Sequence, residues 1–253
     1  MEATESPVVG AAVTSFEVLE AVRTLENPGV SDIARHLDRS KSGIYKHLNT
    51  LTQLGYLTRS DDTYAIGLAA WALGTDVTDR LPMEDGTQTV ESLAASIDHS
   101  VTLVLYETNA AYYVYQHCAP AVAEQIGGVG DQLPFHATAA GKVILAYLPA
   151  ERVDEILTAN PLQRFTEWTI TDPSELRTHL ETIRERRTAV EREERTTGIT
   201  SVAAPITDDT DRPIGAITVV DRTQALDGED LEGRMLSLVV NAARSVESAV
   251  TPA

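Results

Sequence analysis

The chain is poor in cysteine, in lysine and in long apolar runs. One cysteine, Cys118, excludes an intrachain disulfide framework. No apolar stretch approaches the roughly 18 residues of a membrane span, so no transmembrane helix and no membrane partner is expected. The first residues, MEATESPVVGAAVTSFE, lack the basic start and apolar core of a secretion signal, and read as a short acidic lead-in to a cytoplasmic protein. Absent too are a GxSxG elbow, a phosphate-binding loop and a paired-carboxylate motif, so an enzyme is the lesser reading. His99, His117, Cys118, His136 and His179 are scattered with no CxxC or HxxxH spacing, so neither a metal nor a cofactor is expected. What is present is 43 % hydrophobic residues over 253, enough for a sizeable core in one large domain or two smaller ones.

Charge is strongly one-sided, at −18 net, which argues against polyanion binding by the chain as a whole. Only three lysines occur, and two of them, Lys41 and Lys46, fall within RSKSGIYKHL, residues 39–48. The window 31–60 has five basic side chains against two acidic ones, +3 net, which leaves −21 for the rest. Fields are local on the scale of a Debye length, so such an island can still meet a polyanion. The excess of arginine over lysine, abundant Asp, Glu and Thr, and scarce Phe resemble the composition of proteins from salt-loving organisms, and that resemblance implies a halophilic archaeon as the source.

Along the chain, SFEVLEAVRTLE (15–26) places Phe16, Leu19, Val22 and Leu25 at near-helical spacing, and Asn27-Pro28-Gly29 stops that helix. Ser31 is a candidate N-cap for a short helix with Ile33, Ala34 and Leu37 on one face. After the turn Asp38-Arg39-Ser40, a third helix over 41–54 buries Ile44, Leu48 and Leu51 and presents Ser42, Lys46, Asn49 and Gln53 outward, with Thr50 at the flank. YLTRSDDTYAIG (56–67) reads as two strands around Asp61-Asp62. Three helices and a hairpin make a winged helix-turn-helix, whose third helix enters the major groove. A linker helix over 68–80 follows. Beyond it, helices over 84–98, 137–148, 150–158, 174–194 and 229–250 alternate with strand pairs at 101–107/112–117 and 201–207/213–221. That order predicts an α+β fold with one antiparallel sheet, helices covering a face and an end. RERRTAVEREER reads as a solvated helix face.

Several segments together carry a family resemblance: DIARHLDRSKSGIYKHLNTLTQLGYLTRSDDTYAIG, GDQLPFHATAAGKVILAYLP (130–149), RFTEWTITDPSELRTHLETIRERRTAVEREERTTGITSVAAPI (164–206) and GAITVV (215–220). In these the chain resembles the IclR family of transcription regulators across nearly its whole length. The resemblance implies a winged helix-turn-helix domain at 9–67, a linker helix at 68–80 and a GAF/profilin-like effector-binding domain at 81–253. It further implies a double-stranded, pseudo-palindromic DNA operator, a homodimer or homotetramer, and a small organic acid or sugar acid as effector. Departures are Asp38 and Arg39 in place of glycine and an apolar residue in the turn, Tyr115 in place of a frequent acidic residue, and Ser201 in place of a common cysteine.

On the DNA side, Arg39, Lys41 and Lys46 can neutralise phosphates, and Ser40 and Ser42 can donate to phosphate at the positive helix end. Gly43 clears the groove floor; Tyr45, Asn49 and Thr50 are candidates for base or backbone contact; Arg59 in the wing can reach a flanking phosphate. His47 reads as a packed histidine. On the effector side, Pro134 and His136 precede a helix from about Ala137, where the small Ala137, Thr138, Ala139, Ala140 and Gly141 let a carboxylate approach unpaired N–H groups. The family plan adds Tyr106, Tyr115, Gly130, Leu133, Ser201, Ala203, Thr218 and Val220 as walls. Lys142 is expected to face solvent or a helix-lining carboxylate, and Glu194 to brace the following loop.

Overall fold

A computed structural model describes residues 8–80, 83–226 and 230–250. The start of the acidic lead-in (1–7), the expected first residue of the second domain (81) and the expected start of the last helix (229) lie outside the described residues. The chain divides into two compact units, Met1–Leu81 and Pro82–Ala253.

The first unit contains α1 (Gly10–Thr24), α2 (Val30–His36), α3 (Lys41–Gln53), the antiparallel pair β1 (Leu57–Ser60) and β2 (Thr63–Ile66), and α4 (Leu68–Arg80). Its core joins Val18, Ala21 and Val22 of α1 to Ile33, Ala34, Ile44, Leu48, Leu51, Leu57 and Tyr64. The α1 stripe differs from the expected one. Thr14, Val18, Ala21 and Val22 face inward, Leu19 and Leu25 are half-buried, and Phe16 is 70 % exposed. Two residues of helix rotate a side chain by about 200°, so burying Val18 turns Phe16 to solvent. Ser31 is not the N-cap of α2. Gly29 is, and its N–H donates to the Asp32 carboxylate at 3.1 Å.

The turn into α3 is closed by backbone geometry. Asp38 takes a left-handed φ of 49°, Arg39 N–H donates to Ala34 O at 2.9 Å and Asp38 N–H to Arg35 O at 3.3 Å, the paired bonds of a Schellman stop. Ser40 Oγ then caps α3 by accepting from Gly43 N–H at 3.2 Å. Gly55, at φ 81°, ends α3 by the same kind of stop, with Tyr56 N–H on Leu51 O.

The second unit is a five-stranded antiparallel sheet in the order β4-β3-β7-β6-β5: β3 is Ser100–Glu107, β4 Ala110–His117, β5 Ala189–Arg192, β6 Ile199–Thr207 and β7 Pro213–Arg222. Helices cover both faces rather than a face and an end. On one side α5 (Met83–Ser96) and α10 (Leu236–Val250) pack on the strands. On the other lies α7 (Ala139–Tyr147), backed by α8 (Ala150–Ala159) and α9 (Pro173–Arg186) through one apolar cluster. The sequence reading omits α6 (Pro120–Ile126) and β5; the helix expected over 174–194 stops at Arg186, and Arg187 turns left-handed at φ 58° before the strand begins.

Register decides which side chains meet. Thr102 pairs with Thr218, which pairs with Ala203; Val220 pairs with Ser201, which pairs with Glu191. Directly paired residues share a face, so these side chains all face α7. In β4 the register slips: Leu103 pairs with Tyr115 but Val104 with Tyr113, which passes over Val114. This bulge reverses the alternation, so Tyr113 joins the α7 face and Tyr115 the α5 face.

Candidate nucleic-acid interface and effector pocket

α3 is amphipathic in the expected sense. Ile44, Leu48 and Leu51 are buried, while Lys41, Ser42, Tyr45, Lys46 and Thr50 are exposed and Asn49 is half-buried. Ser42, Tyr45, Lys46 and Asn49 follow one another at helical spacing and form one stripe. Among the described residues neither Lys41 nor Lys46 is ion-paired. Arg39 and Arg59 differ: Arg39 bonds Glu17 at 2.8 Å, and Arg59 bonds Asp62 at 3.2 Å and lies over the Tyr64 ring. Gly43 is half-buried, and a Cβ there would come 3.1 Å from Ser40 Oγ, so its smallness serves the cap of its own helix. Thr50 bonds back to Lys46 O, and His47 Nδ1 meets Ser15 Oγ at 2.8 Å, which makes it a packed histidine.

In the second unit a cavity of about 20 Å3, room for about one water, lies between the sheet and the N-terminus of α7. It brings together Thr138, Ala139, Ala140, Ser201, Thr218 and Val220 of the expected set. Thr138 caps α7 by accepting from Gly141 N–H at 3.1 Å. The Ala139 and Ala140 N–H groups have no intrahelical acceptor, as at any helix start. Gly141 is set by packing: a Cβ would fall 2.4 Å from Phe135 O.

The remaining expected residues stand elsewhere. Tyr106 packs edge-on against Phe135 and donates to Thr108 O, and Tyr115 donates to Glu91 Oε1 at 2.7 Å on the opposite face of the sheet. Gly130 is exposed at φ 90°, its N–H on Tyr113 O. Leu133 and His136 line a separate cleft of about 240 Å3, where His136 Nε2 donates to Gln163 O and the ring stacks on Phe165. Burial holds the His136 pKa below its ordinary value. Ala137 and Ala203 are buried in packing and do not line the cavity.

The cavity also holds residues that sequence reasoning missed: Thr102, Tyr113, Ile126, Glu191, Arg195 and Ile199. Thr102 and Thr218 face each other across two strands, each more than nine-tenths buried, and among the described residues neither Oγ1 has a partner. Glu191, 2 % exposed, accepts from Glu194 N–H (2.6 Å) and Arg195 N–H (3.2 Å) with one oxygen and from Ser201 Oγ (2.9 Å) with the other. Burial pushes its carboxyl up to about 7 against these bonds. Burial likewise raises Tyr113 to about 12. Glu194 takes Lys142 Nζ at 2.5 Å, so the third lysine faces a carboxylate and not solvent. Among the described residues no cluster of three His, Cys, Asp or Glu could hold a metal ion, and no helix is long and apolar enough to cross a membrane.

A three-helix winged module with a basic, outward-facing third helix, and an α+β unit with a small cavity between its sheet and the start of a helix, have the plan of a ligand-responsive helix-turn-helix regulator. Comparison with known proteins agrees. Residues 12–61 match the IclR helix-turn-helix domain and residues 79–248 the C-terminal domain of bacterial IclR transcriptional regulators. The chain is 32 % identical over 222 residues to the glycerol operon regulatory protein of Streptomyces coelicolor, covering 86 % of this chain and 87 % of that one. It is 26 % identical over 248 residues to the probable HTH-type transcriptional regulator ArcR of Halobacterium salinarum, 94 % of this chain and 93 % of that one. An IclR homolog from Microbacterium hydrocarbonoxydans, crystallised with 4-hydroxybenzoate, superposes with a TM-score of 0.80 at 22 % identity, over 95 % of this chain and 98 % of the other, a likeness of fold. The chain belongs to the IclR family: it is a DNA-binding transcription regulator with a C-terminal ligand-binding domain.

Proposed function

We propose that this regulator binds a pseudo-palindromic double-stranded operator as a homodimer or homotetramer in the cytoplasm of a halophilic archaeon, and that a small organic acid or sugar acid controls it. The DNA-binding domain is read as 9–67, the linker helix as 68–80 and the effector-binding domain as 81–253. The observation that carries the DNA half is the pair Lys41 and Lys46, exposed and unpaired on α3 in a chain of net charge −18. The proposed contacts are Arg39, Ser40, Lys41, Ser42, Gly43, Tyr45, Lys46, Asn49, Thr50 and Arg59, with Arg39 and Arg59 needing to leave Glu17 and Asp62 to reach phosphate. Exposed apolar side chains at Val9 just before α1, on α1 (Val13, Phe16) and on α4 (Leu68, Trp71, Val77) support association with a second copy.

On the effector half, the free N–H groups of Ala139 and Ala140, with the unpartnered Thr102 and Thr218 hydroxyls, suit a carboxylate carrying a second polar group. The cavity must widen to admit one. The 4-hydroxybenzoate in the Microbacterium relative supports the acid class. The composition, and the likeness to a Halobacterium protein, support the halophilic source. Binding rather than turnover is supported by relatives named as regulators. Footprinting upstream of its own gene in concentrated salt, with and without acids selected by thermal shift, tests the reading. A protected two-fold site that an acid shifts is the expected result. No protected site, or turnover of the stabilising compound, would overturn it.

A further inference from the structure

The charges around the cavity balance without a ligand and fail to balance with one. Two ionisable groups line it beside the phenol of Tyr113 of β4, Glu191 on β5 and Arg195 on the loop after it, and the charges of Lys142 on α7 and Glu194 on the same loop act on Glu191 from beside the cavity. Lys142 is fully buried and committed to Glu194 at 2.5 Å. Arg195 is half-buried and lies over the Phe165 ring at 4.7 Å. Two carboxylates and two cations sum to zero. An effector carboxylate at the Ala139 and Ala140 N–H groups adds one negative charge to a cavity that Glu191 itself lines. Among the described residues no further cation lines the cavity.

We propose that Glu191 is a specificity-determining residue of this pocket: an anionic effector enters together with one proton from solvent, which the Glu191 carboxyl carries in the complex. The inference rests on the reading of this cavity as the effector site. Of the two carboxylates, Glu194 holds the ammonium, whereas Glu191 is held by two N–H groups and one hydroxyl, all neutral donors. The ion-paired carboxylate loses most on protonation, so the proton goes to Glu191. Its burial already places it about 7 in the free protein, within reach of a neighbouring anion. Once protonated, Glu191 donates an O–H either to Ser201 Oγ or to the effector, so the binding of an acid depends on this proton whereas that of a neutral analogue does not.

The test is calorimetric titration of the full chain in concentrated salt with acetate, pyruvate, glycerate and 4-hydroxybenzoate. Titrations are run near pH 6 and near pH 8, in two buffers of different ionisation heat. The expected result is that any acid that binds takes up most of a proton near pH 8 and little near pH 6, and that its Kd rises by up to about tenfold per pH unit above about 7. In Glu191→Gln the heat should become independent of buffer and the Kd flat with pH. Binding with no proton uptake by the natural chain overturns the inference and leaves the effector site standing; this arm needs no variant. Uptake that survives in Glu191→Gln assigns the proton elsewhere, with His136 next to be tested, and also overturns it. Failure of all four acids at both pH values overturns the acid-effector reading of the cavity and this inference with it.

Discussion

Lys142 Nζ lies 2.5 Å from Glu194 Oε1, the ammonium fully buried and the carboxylate 9 % exposed. The pair ties α7 to the loop that carries Arg195, and among the described residues the other oxygen, Oε2, has no partner. Removing one member of a buried pair leaves an uncompensated charge, whereas removing both leaves apolar surface. Lys142→Met should therefore cost about 3–5 kcal/mol in denaturant unfolding, and Lys142→Met with Glu194→Leu should recover most of that loss. A double variant as unstable as the single one would show that the cost comes from packing around the lysine stem.

A buried carboxyl and a half-buried imidazole both contribute to the pH dependence of stability. The folded-state pKa of Glu191 is about 7, above the 4.5 of the exposed group, because burial disfavours its charge. The folded chain then holds a proton that the unfolded chain gives up, so this contribution falls as pH rises from about 4.5 to about 7. His179 is depressed to about 4, first by burial and then by the Lys142 charge. It must charge on unfolding below its ordinary value, so its contribution is lost as pH falls from 6.5 through about 4. Glu191→Gln should gain up to roughly 3 kcal/mol on the natural chain at pH 8 and nothing near pH 4.5, read from urea midpoints at each pH. An equal gain at both would remove Glu191 as the titrating group.

The first unit was the more legible in sequence, and the reason lies in exposure. In α3 one stripe is dry and the other wet, so apolar spacing alone finds Ile44, Leu48 and Leu51 and leaves the outer face by subtraction. In α1 the wet side carries Phe16 and Val13, and hydrophobicity there points the wrong way. In the second unit α7 is dry all round, down to Lys142, so no periodicity marks its pocket end. β5 is four residues long, and its Glu and Arg neighbours resemble the charged helix before it; Glu191 and Arg195 were hidden with it. Thr102 could have been found by pairing it with Thr218, but the bulge at Val114 has no sequence signal.

Free and engaged cations on the DNA face should behave differently. Lys41→Ala and Lys46→Ala should each lower the slope of log affinity against log salt by about one ion, because each removes an unpaired charge. Arg39→Ala should do less, since its guanidinium already holds Glu17. Glu17→Gln should tighten operator binding by freeing that guanidinium. Gel-shift titrations over a salt series would check all four, and a loss of affinity in Glu17→Gln would place Arg39 outside the contact.

Gly141 has no tolerance for a side chain. A Cβ would stand 2.4 Å from Phe135 O and 2.5 Å from its Cα, both backbone atoms that cannot rotate away. Gly141→Ala should cost about 1–3 kcal/mol or more in thermal unfolding, despite the better helix propensity of alanine. An unchanged Tm would mean that α7 can slide along the sheet, and the cavity at its N-terminus would then be adjustable.

The bulge in β4 makes a prediction that the chain alternation would reverse. Tyr113 and Tyr115 are two residues apart and would share a face on a regular strand, yet the slip at Val114 sends Tyr113 to the cavity and Tyr115 to Glu91 of α5. Tyr113→Ala should therefore change which acids stabilise the protein, by widening the cavity, while Tyr115→Phe should leave acid binding unaltered. The Tyr115 hydroxyl donates to Glu91, where it shares the carboxylate with His117, so its loss should register only in stability. That surface is exposed, and the change should be small. If Tyr115→Phe instead altered the acid profile, β4 would have to run without its bulge, and the face assigned to every residue beyond Val114 would change with it.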